Sequence, residues 1–452
     1  MIVWLVALAL VGMLCNDSGV AWAQKGAKTW KTVAELSAKD KERIDLSIDT
    51  PRDATFPYLP AERYPFTPPY TAEEMGFRSM EFPHQPRWSC VYADAGATID
   101  QWGHLIVQSK AVGLVAYGGT QGLLEELYAT PPGQSFVTSL SQDTAPAEKY
   151  GNQSLFSRYR TDKTFTKKID MFVYTPGLRR VRRQPQPRRG DRFPNQAFTF
   201  DDTFGRDAWE WSWRIIGTDV LYETLRFPKG RTSITLTDSS GKLHDVSASE
   251  IKSMGKDYSA YLPDGGVPCY VVEAKARDEW LPGYYTPRIL YWLDQQAFYP
   301  LRIEEYDREG KLIFIETRVA EHRNPALKER GYGMQMDLYW DATTDLMTYS
   351  THDGHQLREW TEEDKKSYFN PDFLRRVWFI GGVKSQAEIR TPEEFFLRPA
   401  LFEDKFPGDR NISLPPDLRA RIDGQEKAGQ LVFTEEVAER SEERRVGKEC
   451  RL

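Results

Sequence analysis

The chain has 452 residues, of which 40% are hydrophobic, 28% charged and 13% aromatic. That mixture excludes a disordered polymer and supplies enough apolar matter for one large β-rich domain or two ordinary ones. A formal charge of −6 excludes a protein held to nucleic acid mainly by its overall charge.

Val3 to Leu14 is an apolar run shorter than the about 20 residues that cross a bilayer, and Ala21-Trp22-Ala23 precedes Gln24 with small residues where a signal peptidase reads. Residues 1–23 are therefore expected to be a cleaved signal peptide, and the mature protein to be soluble and exported. Leu14 fills a position where lipid attachment at Cys15 wants a small residue. An oxidising compartment permits a Cys90–Cys269 disulfide; two buried thiols are equally open. At the other end, residues 433–452 form a tail. Its last dozen residues, SEERRVGKECRL, resemble an adapter-derived tail found on unrelated metagenomic translations.

Thr32 to Ile44 reads as a short helix, with Thr32 and Glu35 as a capping box. Residues 24–83 then combine that helix with an extended segment, because Pro51, Pro57, Pro60, Pro65, Pro68 and Pro69 sit among Tyr and Phe. Gln121 to Tyr128 reads as a brief helix. From about Thr164 strands follow one another: Ile169 to Tyr174, Leu221 to Phe227, Ser233 to Leu236, Leu243 to Val246, Cys269 to Ala274, Leu301 to Tyr306, Leu312 to Arg318 and Met334 to Trp340. Tight turns between short strands impose antiparallel pairing, since a parallel crossover needs a dozen residues or more. Beyond Glu362 short helices are expected at Asn370 to Phe379, Pro392 to Phe396 and Pro415 to Gly429. The fold class expected for 84–432 is mainly β (α+β), a large curved antiparallel sheet.

Both faces of these strands carry large apolar groups, with Phe172 and Tyr174 opposite Met171 and Val173, and Ile313 and Ile315 opposite Leu312 and Phe314. Such a sheet must be covered on both sides or curl around something. Trp209, Trp211 and Trp213 would share one face of a strand, either lining an apolar cavity or packing the sheet core.

Leu178 to Arg192 (LRRVRRQPQPRRGDR) sets seven arginines against one aspartate. Two readings stand: a dock for phospholipid headgroups or an acidic partner, and ion pairing with Asp201, Asp202, Asp207 and Glu210 downstream. No aromatic residues interleave the arginines in the way single-stranded nucleic acid requires. His352 and His355 read as turn residues rather than metal ligands. Asp201-Asp202 and Glu304-Glu305, if on strands, point to opposite faces and make no acid/base pair. Phosphate loops and serine elbows are absent from the sequence, so no catalytic residue, metal or cofactor is expected.

Met171 to Arg183 (MFVYTPGLRRVRR), Phe200-Asp201-Asp202 and Trp213 to Tyr222 (WRIIGTDVLY) resemble the proteobacterial domain-of-unknown-function family 1329, labelled outer-membrane lipoprotein-sorting protein. Tyr291 to Leu312 (YWLDQQAFYPLRIEEYDREGKL) resembles the wider Lol-type carrier superfamily. The resemblance implies an open, curved antiparallel half-barrel covered by helices, with an apolar hollow for acyl chains. It also implies export to the periplasm and a partner permease of the resistance-nodulation-division type. The function expected is a carrier or binding protein for a lipid-like ligand, with transient membrane contact and no chemistry. Met171, Val173, Trp211, Trp213, Tyr291 and Phe314 are the expected wall, and Arg179, Arg180, Arg182 and Arg183 the headgroup or partner contacts. A structural envelope protein whose hollow is filled by its own side chains, and an uncharacterised hydrolase, are the alternatives.

Overall fold

The computed structural model describes residues 30–46, 67–81, 89–117, 130–222, 233–237, 243–247, 251–255, 258–322, 332–357, 360–375, 380–381, 400–401 and 420. Fourteen strands form one antiparallel sheet. In chain order they are β1 (Lys31–Thr32), β2 (Cys90–Ile99), β3 (Leu105–Tyr117), β4 (Ser135–Ala145), β5 (Gln153–Tyr159), β6 (Ile169–Thr175) and β7 (Arg180–Gln184). There follow β8 (Trp211–Leu221), β9 (Val267–Ala276), β10 (Arg288–Asp294), β11 (Pro300–Tyr306), β12 (Leu312–His322), β13 (Tyr332–Asp341) and β14 (Leu346–Leu357). Across the sheet the order is β1, then β8 through β14, then β2 through β7. The chain thus makes two meanders, joined where β14 pairs with β2, and the sheet is open, ending on β1 and β7.

Open does not mean flat. Lys168, just before β6, pairs with Asp207 and Glu210, just before β8, at 2.9 and 3.1 Å. The two strands stand eleven places apart, which at about 4.8 Å per strand would hold them roughly 50 Å apart in a flat sheet. The sheet therefore curls until its two ends meet. Directly opposed residues in an antiparallel pair share a face, so the register shows which face is inside. Arg206 reaches Glu305 of β11 at 2.6 Å, while its neighbour Gly205 lies against the guanidinium of Arg158 on β5. Glu305 and Arg158 come from the same face of strands seven places apart, so that face is concave.

The strands the sequence announces are present, with extended ends: β6, β9, β11, β12 and β13 contain the expected spans, and the pair 233–237 and 243–247 forms its own hairpin. Two expectations are corrected. Thr32 to Ile44 is not one helix; the Glu35 carboxylate does accept the Thr32 N–H at 2.8 Å, but the chain makes a 3-10 turn, Val33–Glu35, and then a single α-helical turn, Ala38–Lys41, capped by Ser37. Of the strand expected at Leu221 to Phe227, Leu221 closes β8, and residues 223–227 lie outside the described residues. Near the C-terminus helix α2 (Glu362–Tyr368), capped by Thr361, precedes the expected start at Asn370, where among the described residues, which stop at 375, only a 3-10 turn, Phe373–Arg375, forms. Residues 1–29, the prolines 51–65, the brief helix at 121–128 and the helices expected beyond 391 lie outside the described residues.

The convex face is covered in two halves, the concave face over β8 to β10. On the convex side Met254 and Tyr258 pack on Val271, Leu290 and Trp292, and Trp360, Tyr368, Phe373 and Leu374 pack on Val91, Leu114, Leu140 and Leu155. On the concave side helix α1 (Ala72–Glu81) covers β8 to β10. Thr71 and Glu74 cap it reciprocally: the Thr71 hydroxyl accepts the Glu74 N–H at 3.1 Å and the Glu74 carboxylate accepts the Thr71 N–H at 3.3 Å.

The candidate ligand recess

The link from β7 to β8, residues 185–210, has to travel from one end of the sheet to the other, and it crosses the concave face as a strap. Local chemistry gives it shape: the Asp202 carboxylate accepts the Thr199 N–H at 2.7 Å, which starts a short helix, Phe200–Phe204. Side chains fasten it. Arg192 pairs with Asp341 on β13 at 2.8 Å, the Ala197 N–H donates to the Thr348 hydroxyl on β14 at 2.8 Å, and Arg206 joins Asp202 to Glu305. Arg189 ties the strap to itself through Asp201 and Glu210, both at 2.6 Å. Two neighbouring carboxylates raise the Arg189 guanidinium above its ordinary value despite burial.

Register places all six expected wall residues on the concave face. Trp213 opposes Ala274, which continues through Ile289 and Glu305 to Phe314; Trp211 and Tyr291 share that face, and Met171 and Val173 lie on it at the far end. The structure separates them, however, into two groups. Trp211, Tyr291 and Phe314 are sealed, at 0, 3 and 3% exposure, the first two beneath α1 and its neighbours and Phe314 against Ala197 of the strap. Trp213 is half-buried against Gly76 of α1. Met171 and Val173 remain half-buried on β6. Trp209, expected on the same strand face, instead sits in a 3-10 turn, Ala208–Glu210, packed on Trp280.

Beside Val173 the middle of the concave surface of β3 to β5 carries a row of small residues. Gly113, Ser141 and Ser154 oppose one another in succession up to Val173, and the Ser141 and Ser154 hydroxyls bond at 2.6 Å. Tyr92 lies over Gly113, where a Cβ would stand 2.1 Å from its ring, so only glycine admits the phenol there. Protein surrounds Tyr92, and burial followed by the Asp94 charge raises its phenol far above the ordinary value, against hydroxyl bonds from Ser139 and Ser141. Yet the side chain keeps accessible surface. A group that is enclosed and still reachable is a candidate floor for a recess. Asp143, farther along the same face, is pushed up to about 6 by burial, opposed by Lys149.

Sequence reasoning missed Tyr92, Gly113, Ser141 and Ser154. Their strands lack the large/polar alternation that betrays β6 or β12; the available signal was a run of small residues at every second position, as in Ser109, Ala111 and Gly113.

The arginine motif divides. Arg189 and Arg192 are strap fasteners, as the ion-pairing reading held, and Arg206 joins them; Arg183 pairs with Asp170 at 2.6 Å on the convex side. Arg179 occupies the turn into β7 with φ of 50°, and Arg180 and Arg182 lie exposed on the concave face of that edge strand, beside Thr175 and Val173. None of these last three has a carboxylate partner among the described residues.

Other candidates fall away. Cys90 and Cys269 are free, buried thiols on strands six places apart, which corrects the disulfide option. Burial, with the charges of Asp294 and Asp219, pushes the Cys269 thiol up. His352 and His355 belong to β14, with a bulge at Asp353, rather than to a turn; their side chains lie outside the described set. Asp201 and Asp202 are helical, not on a strand. Glu304 and Glu305 do point to opposite faces, toward Arg302 and Arg206 respectively. No group of metal-ligating side chains occurs among the described residues. A cleft of about 480 Å³ at the β9–β10 loop, lined by Leu281, Pro282, Tyr284 and Arg308 among others, gathers no convergent polar set.

A curled, open antiparallel sheet with a partly filled concave face defines the class of fold. Residues 95–375, more than half of the chain, match the DUF1329 model, described as a protein of unknown function, and the chain belongs to that family. Among solved structures it is similar to a domain from Vibrio parahaemolyticus named for outer membrane lipoprotein sorting (14% identity, 68% of this chain and 98% of that one, TM-score 0.43). It is also similar to a DUF1329 protein from Desulfovibrio piger (13%, 67% and 97%, 0.44) and to a LolA superfamily protein from Nitrosomonas europaea (14%, 67% and 98%, 0.38). No curated protein matches the chain.

Proposed function

We propose that this protein is a periplasmic carrier or binding protein that shelters a lipid-like hydrophobic ligand in the concave recess and passes it to an envelope permease. The observation that carries the reading is the unequal filling of one continuous face. Over β8 to β12 the concavity is packed by Trp211, Tyr291, Phe314 and their covers. Over β2 to β6 the described residues present glycine, serine and alanine among Asp94, Asp143 and Arg158, with Tyr92, Phe156, Met171 and Val173 half-buried. Small residues at the floor of a concave sheet leave volume above them, and an alkyl chain placed there gains about 0.8 kcal/mol per buried methylene.

The role is transfer rather than reaction. The floor offers hydroxyls, one phenol and the carboxylates of Asp94 and Asp143. Export rests on the apolar run Val3 to Leu14, and the permease of the resistance-nodulation-division type on the family resemblance.

Native mass spectrometry of protein purified without detergent and offered phospholipids and fatty acids tests the proposal. Bound lipid is expected with the natural chain, and Ser141→Phe or Ser154→Phe, which put a ring into the recess, should abolish it while the fold persists by circular dichroism. Apo protein throughout would sink it.

A further inference from the structure

The strap and the edge strand together give the recess a polarity. Of the seven arginines in Leu178 to Arg192, Arg183, Arg189 and Arg192 are committed to carboxylates. Arg180 and Arg182 have no carboxylate partner among the described residues, and they share one position in the fold: the concave face of β7, with Arg182 directly opposite Val173 and Arg180 opposite Thr175. Val173 in turn opposes Ser154 of the floor. One row across the sheet therefore runs from half-buried hydroxyl, through apolar side chain, to exposed guanidinium. An edge strand needs some charge to deter pairing with another chain, but that need is indifferent to face.

We infer that the ligand is an anionic amphiphile, its chain over Ser154, Met171 and Val173 and its single negative headgroup at Arg180 and Arg182. The inference rests on the proposed carrier function and adds the charge and direction of the guest. A guanidinium grips phosphate or carboxylate through paired N–H donors, so a phospholipid phosphate and a fatty-acid carboxylate share the required chemistry.

The test compares amphiphiles of one chain length, dodecyl phosphate, dodecanoate and uncharged dodecyl maltoside, by native mass spectrometry and titration calorimetry at low salt. Wild type is expected to bind at least one anion about tenfold or more tighter than the maltoside, a ratio that one charge-assisted contact supplies. Phosphate ahead of carboxylate identifies a phospholipid-like guest, and the reverse a fatty acid. Arg180→Gln with Arg182→Gln should erase the preference and leave maltoside binding intact; Arg180→Lys with Arg182→Lys should restore part of it. Equal affinity for charged and uncharged amphiphiles, or a preference that survives the Gln pair, overturns the inference and leaves the carrier function standing. Failure of all three to bind overturns both.

Discussion

The Lys168 ammonium lies 2.9 Å from the Asp207 carboxylate although the strands they introduce are eleven places apart in the sheet. Both groups are largely buried, at 12 and 18% exposure, and Lys168 lowers the Asp207 carboxyl below its usual range against the cost of burial. Removing one partner of such a pair costs about 3–5 kcal/mol, because the other charge is left behind. Lys168→Met should therefore lower the unfolding free energy from urea denaturation by that amount at pH 7. A change below about 0.5 kcal/mol, the scale of an ordinary surface substitution, would mean that the ends are held together by other means.

Gly76 reverses a general rule. In most helix interiors Gly→Ala stabilises by about 1 kcal/mol. Here a Cβ at residue 76 would stand 2.2 Å from the Trp213 indole, so the helix must lift from the sheet. Gly76→Ala is expected to destabilise by about 1–3 kcal/mol and to alter tryptophan emission. Higher thermal stability in the variant would contradict the packing described.

Glu316 gives a signed pH effect. Burial pushes its carboxyl up to about 7, with Asp337 adding to the rise and Arg318, 2.5 Å away, opposing it. Because the folded value exceeds the unfolded one, the native state holds the extra proton between about pH 4.5 and 7. The contribution of this group to stability is complete below that window and is lost as pH rises through it. Chemical denaturation at pH 5 and pH 7.5 should show a smaller fall for Glu316→Gln than for wild type; identical slopes would refute the assignment.

Two arginines that look alike in sequence should behave differently. Arg206→Met strands Asp202 and Glu305 without their shared cation, inside the protein, for about 3–5 kcal/mol. Arg180→Gln, on an exposed edge, should change stability by less than about 0.5 kcal/mol. Calorimetric melts of the two variants side by side decide it, and comparable losses would defeat the division of roles.

How much of this was legible beforehand depended on side-chain size. Strands such as β6 and β12 put large apolar groups at alternate positions, and their pattern is visible without coordinates. β2, β3, β4 and β5 were not visible, because Gly113, Ser139, Ser141 and Ser154 carry no hydrophobic signal. The small residues that hid those strands are the ones that form the floor of the recess. The concave side of the wall residues was likewise hidden: Met171 and Phe172 are equally apolar, and only pairing with β5 and β7 tells which points inward. The arginine motif announced its charge, while the split between fasteners and rim depended on a strap whose course follows from strand order.

That strand order also dictates how the chain must assemble. Within each meander most neighbours are hairpin partners, whereas the seam between them, Tyr349 opposite Ala97, joins residues roughly 250 positions apart, a long loop to close. Hairpins can zip early on either side, and the seam must wait for both. A nascent chain that has not yet made β14 offers β2 to solvent as a bare edge, so aggregation during synthesis should begin there.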